Sequence, residues 1–152
     1  MTRELLRAMT RFQQETIGTS AMMRTPFDPL KGDELAGAAL KAFFNVATKW
    51  KLTSLQQRAM LGDPSDASYE AWVGGAYEEI DDDVLMRISY LLGIYKALHV
   101  LLPDPEQANS WIRRPNSAPL FGGNTALEVL CRGGLEELRD VRCYLDGQQA
   151  IT

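Results

Sequence analysis

Between Asp81 and Leu102, apolar side chains recur at steps of three and four: Val84, Ile88, Leu91, Tyr95, Leu98 and Leu102, flanked by Leu85 and Leu92. That spacing gathers them on one side of an α-helix, which would run on the order of 33 Å at about 1.5 Å per residue. A helix so apolar has to be covered by other elements, so it becomes the main beam of a core. Every other apolar segment of the chain also repeats at three and four, and the expected fold class is all-α. The carboxylates Glu78, Glu79, Asp81, Asp82 and Asp83 stand immediately before the beam. There they can cap orphan N–H groups and oppose the positive helix end. Consecutive carboxylates on a helix point in different directions, so the run does not read as a metal site. His99, near the beam's far end, reads as packed or dipole-facing, because no nucleophile lies near it in sequence.

The segment 1–33 reads as an extension. Leu5, Leu6, Met9 and Phe12 make residues 2–17 amphipathic, Gly18-Thr19-Ser20 ends that helix, and a loop with Pro26, Pro29 and Gly32 follows. It is either a partner-binding arm or a strap over the core, and the strap avoids leaving its apolar side chains in water. Residues 34–103 read as a helical domain of helix-turn-helix type built on the long central helix. A first helix from Asp33 carries Leu35, Ala39, Phe43, Val46 and Trp50, with Lys49 and Lys51 at its negative end. Thr53 and Gln56 then form a capping box, and Leu55, Ala59 and Met60 are expected to face inward. After Gly62 and Asp63-Pro64, Ser65 or Asp66 caps a second short helix that carries Tyr69 and Trp72 and closes at Gly74-Gly75. Two short helices around a tight turn are the layout of a helix-turn-helix. Its candidate DNA contacts are Arg58, Ser65 and Ser68. Residues 34–103 hold six bases against nine acids, and carboxylates repel a phosphate backbone, so the unit can equally be scaffold.

Residues 104–152 read as a second, smaller helical domain. Asp104 caps a helix with Pro105 at its first position, carrying Ala108, Trp111 and Ile112 and ending before Pro115. The stretch PNSAPLFGGNT has to be irregular, with Gly122-Gly123 free to take positive φ. Thr125 and Glu128 start a helix with Leu127 and Leu130. After Gly133-Gly134 the last helix turns Leu135, Leu138, Val141 and Leu145 inward, with Arg139 and Arg142 on a neighbouring face. Gly147 to Thr152 reads as a flexible tail ending in Ile151 and the terminal carboxylate. Trp72 and Trp111 are both expected to be largely packed, as large anchors for short helices.

Composition excludes several function classes. A net charge of −4 and a pI of about 5.0 lack the basic face that a nucleic-acid binder usually advertises. Cys131 and Cys143 form no CxxC pair and find no zinc-site spacing with the single His99. They read as reduced thiols of a cytoplasmic protein. No segment reads as a membrane span or signal peptide. There is no Ser/His/Asp set, Gly-rich phosphate loop or ligand cluster, so an enzyme, a cofactor and a metal are not expected.

Taken together, the helix RISYLLGIYKALHVLLPD, the segment WIRRPNSAPLFGGNTALEVL and the final GLEELRDVRCYLD resemble the Xre/MbcA/ParS antitoxin family over about residues 38–146. Its members are small, all-helical, cytoplasmic bacterial proteins that neutralise a RES-domain toxin encoded beside them, an enzyme that degrades NAD or transfers ADP-ribose from it. Many also repress their own operon. The resemblance places the family's Trp-x-x-x-Pro-Asn segment on Trp111, Pro115 and Asn116, its Phe-Gly-Gly turn on Phe121, Gly122 and Gly123, and its Val-Arg-x-Tyr-Leu stretch on Val141, Arg142, Tyr144 and Leu145. Two departures stand out: Thr125-Ala126 replaces the usual small-Pro pair, and an inserted Ala118-Pro119-Leu120 lengthens the loop. What the resemblance implies is a protein that occludes a toxin's active site through Trp111, Arg113, Pro115, Asn116, Phe121, Gly122, Gly123, Arg139, Arg142, Tyr144, Leu145 and Ile151. It would act as a homodimer within a larger complex. The alternative is a transcriptional regulator that binds operator DNA through the helix-turn-helix.

Overall fold

The computed structural model describes residues 32–77 and 80–151. The amphipathic segment 2–17, the loop around Pro26, the acids Glu78 and Glu79 and the terminal carboxylate of Thr152 lie outside the described residues. Within them the chain forms seven α-helices and no strand. In chain order these are α1 (Gly32–Lys49), α2 (Ser54–Met60), α3 (Asp66–Val73), α4 (Asp82–Leu101), α5 (Pro105–Ser110), α6 (Ala126–Leu130) and α7 (Leu135–Ile151), with a 3-10 turn over Trp111–Arg113 between α5 and α6. The all-α expectation holds.

Local chemistry sets most of the boundaries. The side chain of Asp81 accepts from the Val84 N–H at 3.0 Å and starts α4. Thr53 and Gln56 complete a reciprocal capping box on α2, with bonds of 3.2 and 2.9 Å. Of the two candidate caps of α3, Ser65 is the one used. Asp104 accepts from the Glu106 N–H with Pro105 at the first helical position, and Thr125 accepts from the Glu128 N–H.

Packing is organised on α4. Its most extensive contact is with α7, followed by α1 and α5. Because neighbours surround it, burial is not confined to the stripe at Val84, Ile88, Leu91 and Leu98: Arg87, Ser89, Ile94 and Ala97 are buried as well. By length and composition α4 could cross a membrane, but most of its apolar side chains pack against the protein's own helices, with Val100 left exposed. The buried side chains form one cluster, from Leu35 on α1 to Leu145 on α7, with Trp50, Phe43 and Phe121 its largest members.

Two sequence expectations change. Leu55 is 80% exposed; in a helix of two turns, Met60 and the cap residue Leu61 suffice to bury the inner side. Gly147 does not end the last helix: α7 continues to Ile151, so the segment read as a flexible tail is helical as far as it is described. Trp72 is buried and Trp111 is packed against the core with part of its ring open, as expected.

Candidate functional site

The loop between the 3-10 turn and α6 closes on itself through its backbone. Pro115 and Thr125 form an isolated antiparallel bridge. Beside it, the Asn116 N–H donates to the Asn124 carbonyl at 3.0 Å and the Gly123 N–H donates to the Asn116 carbonyl at 2.8 Å. The Asn116 side chain accepts from the Ala118 N–H at 2.9 Å, an Asx-type turn. Inside the loop the N–H groups of Phe121 and Gly122 both donate to Ala118, and that of Asn124 to Phe121. The reversal at Gly122 and Gly123 needs φ values of +56° and +91°, which glycine adopts without steric cost. No atom lies within 4 Å of where a Cβ would stand on either one. Glycine is required there by the backbone, and the peptide is left bare to solvent.

Aromatic packing fixes the loop to the rest of the molecule. The Phe121 ring, 1% exposed, is met edge-on by Trp111 at 5.9 Å and by Tyr144 of α7 at 5.3 Å. Edge-to-face pairs of this kind add about 0.5–1.5 kcal/mol each beyond area burial. Trp111 and Tyr144 are half-buried, so they form a rim of two partly open aromatic rings over a buried one. Arg113 ties the base of the loop to α1: its guanidinium donates to the carbonyls of Trp50 and Lys51, the latter 3.0 Å away. Those carbonyls lie just past the C-terminus of α1, where the chain turns through a positive φ at Lys51. Arg114 donates to Ser110 at 3.0 Å.

The structure therefore brings Trp111, Phe121 and Tyr144 together, with Pro115, Gly122 and Gly123 exposed on the adjoining loop. The remaining candidates are not part of that rim, and two of the named residues are buried beneath the surface. Phe121 and Leu145 are buried and hold the surface from beneath. Arg139 is exposed and 3.8 Å from Asp140. Arg142 lies against α4, its Nη1 3.5 Å from the Ser89 carbonyl and its Nε 3.7 Å from Asp146. Ile151 is 79% exposed in the last turn of α7.

The helix-turn-helix candidates are engaged within their own unit. Arg58 pairs with Asp66 and donates to the Pro64 carbonyl at 3.0 Å, with its guanidinium carbon 5.8 Å from the centre of the Tyr69 ring. Ser65 caps α3 and donates to Ser68 at 3.0 Å. Tyr69 in turn donates to Gln57 at 2.5 Å. Elsewhere, His99 is packed on Tyr95 with ring centres 4.3 Å apart, and its Nε2 is 3.0 Å from Asn109. Burial pushes the thiol of Cys131 and the phenol of Tyr95 up from their ordinary values. Among the described residues no group of three metal-ligating side chains assembles. The Arg113 anchor and the Arg142 seat on α4 were missed from sequence; the one available signal was Gly93, a glycine inside a strongly periodic helix.

Residues 97–150 match the family model of the antitoxin Xre/MbcA/ParS C-terminal toxin-binding domain. The chain is also 38% identical over 114 residues to a protein of Sinorhizobium fredii (strain NBRC 101917 / NGR234) named "Uncharacterized protein y4oB", covering 74% of this chain and 84% of that one. No solved structure matches. The matched segment begins on the last turns of α4 and takes in the whole rim of Trp111, Phe121 and Tyr144.

Proposed function

Since the chain belongs to the Xre/MbcA/ParS antitoxin family and carries its toxin-binding domain, which gives it an antitoxin role with a cognate toxin as partner, we propose that it neutralises a RES-domain, NAD-consuming or ADP-ribosylating toxin by closing that enzyme's cleft. The observation that carries this is the loop 115–125 within the matched segment. Hydrogen bonds across and within the loop hold its backbone, so Trp111, Tyr144, Pro115 and the bare Gly122-Gly123 peptide can face a partner with little further ordering. A preorganised surface loses less entropy on binding than a mobile one. On this reading Trp111 and Tyr144 supply the aromatic anchors that dominate many interfaces. The far end of α7, with Ile151, reaches toward the substrate cleft, and residues 104–152 act as the toxin-binding part of a core shared with residues 34–103.

The same reading makes the protein a cytoplasmic homodimer within a larger complex, with Leu55 and Val73 as the exposed apolar side chains of the helix-turn-helix. Light scattering on the purified protein and on its complex tests the dimer. Operator binding finds little support, because Arg58 is already paired.

The test is co-expression with the product of the adjoining reading frame. Cells making that protein alone should lose NAD and stop growing, and co-expression of this chain should restore both. A neighbour that leaves NAD intact, or a toxic neighbour that this chain does not bind, would remove the RES assignment.

A further inference from the structure

Gly93 occupies the middle of a 20-residue helix, where glycine is less favourable than alanine by roughly 1 kcal/mol. Its backbone is not in the positive-φ region, so conformational freedom does not explain it. Space does. A Cβ on Gly93 would stand 2.6 Å from both Nε and Cζ of Arg142 and 2.8 Å from its Nη1. The guanidinium lies in the notch that the missing side chain leaves in α4, with Ser89 and Asp146 beside it. A methyl group there would displace the guanidinium, the mobile end of a long side chain.

Arg142 and Tyr144 are two positions apart on α7, so they project roughly 200° apart around the helix. One side chain lies against α4, 3.5 Å from the Ser89 carbonyl and 3.7 Å from Asp146, and the other packs edge-on against Phe121. Both contacts favour the same rotational setting of α7, since turning the helix disturbs each of them. Val141, Leu138 and Leu145 complete the buried side.

We infer that Arg142 is a positioning residue for toxin capture: seated in the Gly93 notch of α4, it sets the rotation of α7 and so the placement of Tyr144 in the aromatic rim. This rests on the proposal that the rim meets the toxin. It assigns Arg142 a role through its neighbours and not as a direct contact, which is how the family resemblance alone would have used it.

The test uses the full-length chain with Gly93→Ala, Arg142→Ala, the two combined, and Trp111→Ala. Binding to an inactive form of the adjoining gene's product is measured by calorimetry, at a temperature where circular dichroism shows each variant folded. Loss of stability alone does not change the affinity of a protein that is already folded, so affinity separates positioning from mere packing. Gly93→Ala, which leaves Trp111 and Tyr144 themselves unchanged, should weaken binding at least tenfold. The double variant should bind no worse than Arg142→Ala alone, because an empty notch accepts a methyl group. If Gly93→Ala does not fold, the double variant decides: recovery of folding supports the seat, and continued unfolding overturns it. A folded Gly93→Ala that binds like wild type while Arg142→Ala is impaired would make Arg142 a direct contact and end the inference. Wild-type binding by Trp111→Ala would instead count against the rim itself and the proposed function with it.

Discussion

The α2–α3 unit and the 111–125 loop are both short and tied down by local hydrogen bonds, but they use different groups to do so. In the α2–α3 unit the side chains are consumed: Arg58 by Asp66 and Pro64, Ser65 by Ser68, Tyr69 by Gln57. In the loop it is the backbone that is consumed, through the Pro115–Thr125 bridge and the bonds of Asn116, Gly122 and Gly123. Side chains used for internal order are not available to a ligand; backbone used that way leaves side chains outside. The α2–α3 unit thus carries little free recognition chemistry, while a stretch without regular structure holds an ordered surface.

The comparison is broken most severely by removing what holds the loop from below. Phe121→Ala deletes a fully buried ring shared by Trp111 and Tyr144, and large-to-small changes of this kind cost about 3–5 kcal/mol. The free protein should show a large drop in melting temperature, and rescue of cells from the toxin should fail. An unchanged melt would show that the ring is not the keystone of the site.

A smaller effect isolates the backbone. Gly123 sits at φ +91° with open space around it, so Gly123→Ala introduces no clash and only the conformational cost, on the order of 1–2 kcal/mol. Denaturant melts should register it, and toxin affinity should fall in parallel as the turn reshapes. A neutral result would mean that the turn relaxes freely and is not preorganised.

How far this organisation was legible in the sequence depends on the range over which it is determined. The beam was placed within a residue at each end because its cap, Asp81, and its three-and-four spacing are local signals. The irregular 115–125 stretch was legible too, from its prolines and paired glycines. Leu55 was misplaced because two turns of helix do not determine which face points inward; tertiary packing does. The end of α7 was misread for a related reason. Gly147 normally argues for a helix stop, but a terminus already carried on a long packed helix can run on through it. The Arg113 tie to Trp50 and the Arg142 seat on Gly93 join residues about 50 to 60 positions apart, and no local pattern contains them.

Shortening α7 asks whether binding and inhibition separate. Deleting residues 147–152 removes an exposed Ile151 and, among the described residues, no core side chain, so the melting temperature should change little. On the cleft-occlusion reading, the truncated chain still co-purifies with the toxin, while NAD turnover by the complex returns. Full inhibition by the truncated chain would move occlusion back to the loop around Gly122 and Gly123.

The smallest expected effect lies at the other pole of the comparison. Arg58→Ala removes a pair with Asp66, whose side chain is 79% exposed, and such partly solvated pairs contribute about 0–1 kcal/mol. The same change strips the α2–α3 unit of the one base that stands between its helices. If Arg58 serves only to hold α3 against α2, the melt should shift slightly and toxin binding not at all. Affinity for the DNA upstream of the gene, measured across a salt series, should be as low as that of the parent protein. Cations that neutralise phosphates reveal themselves in the slope of that series, which flattens by roughly one unit for each such cation removed. A parent protein with a steep slope that flattens in Arg58→Ala would show that the Asp66 pair opens on DNA. The α2–α3 unit would then hold its recognition chemistry in reserve behind an intramolecular ion pair, and the contrast with the loop would become one between a closed surface and an open one.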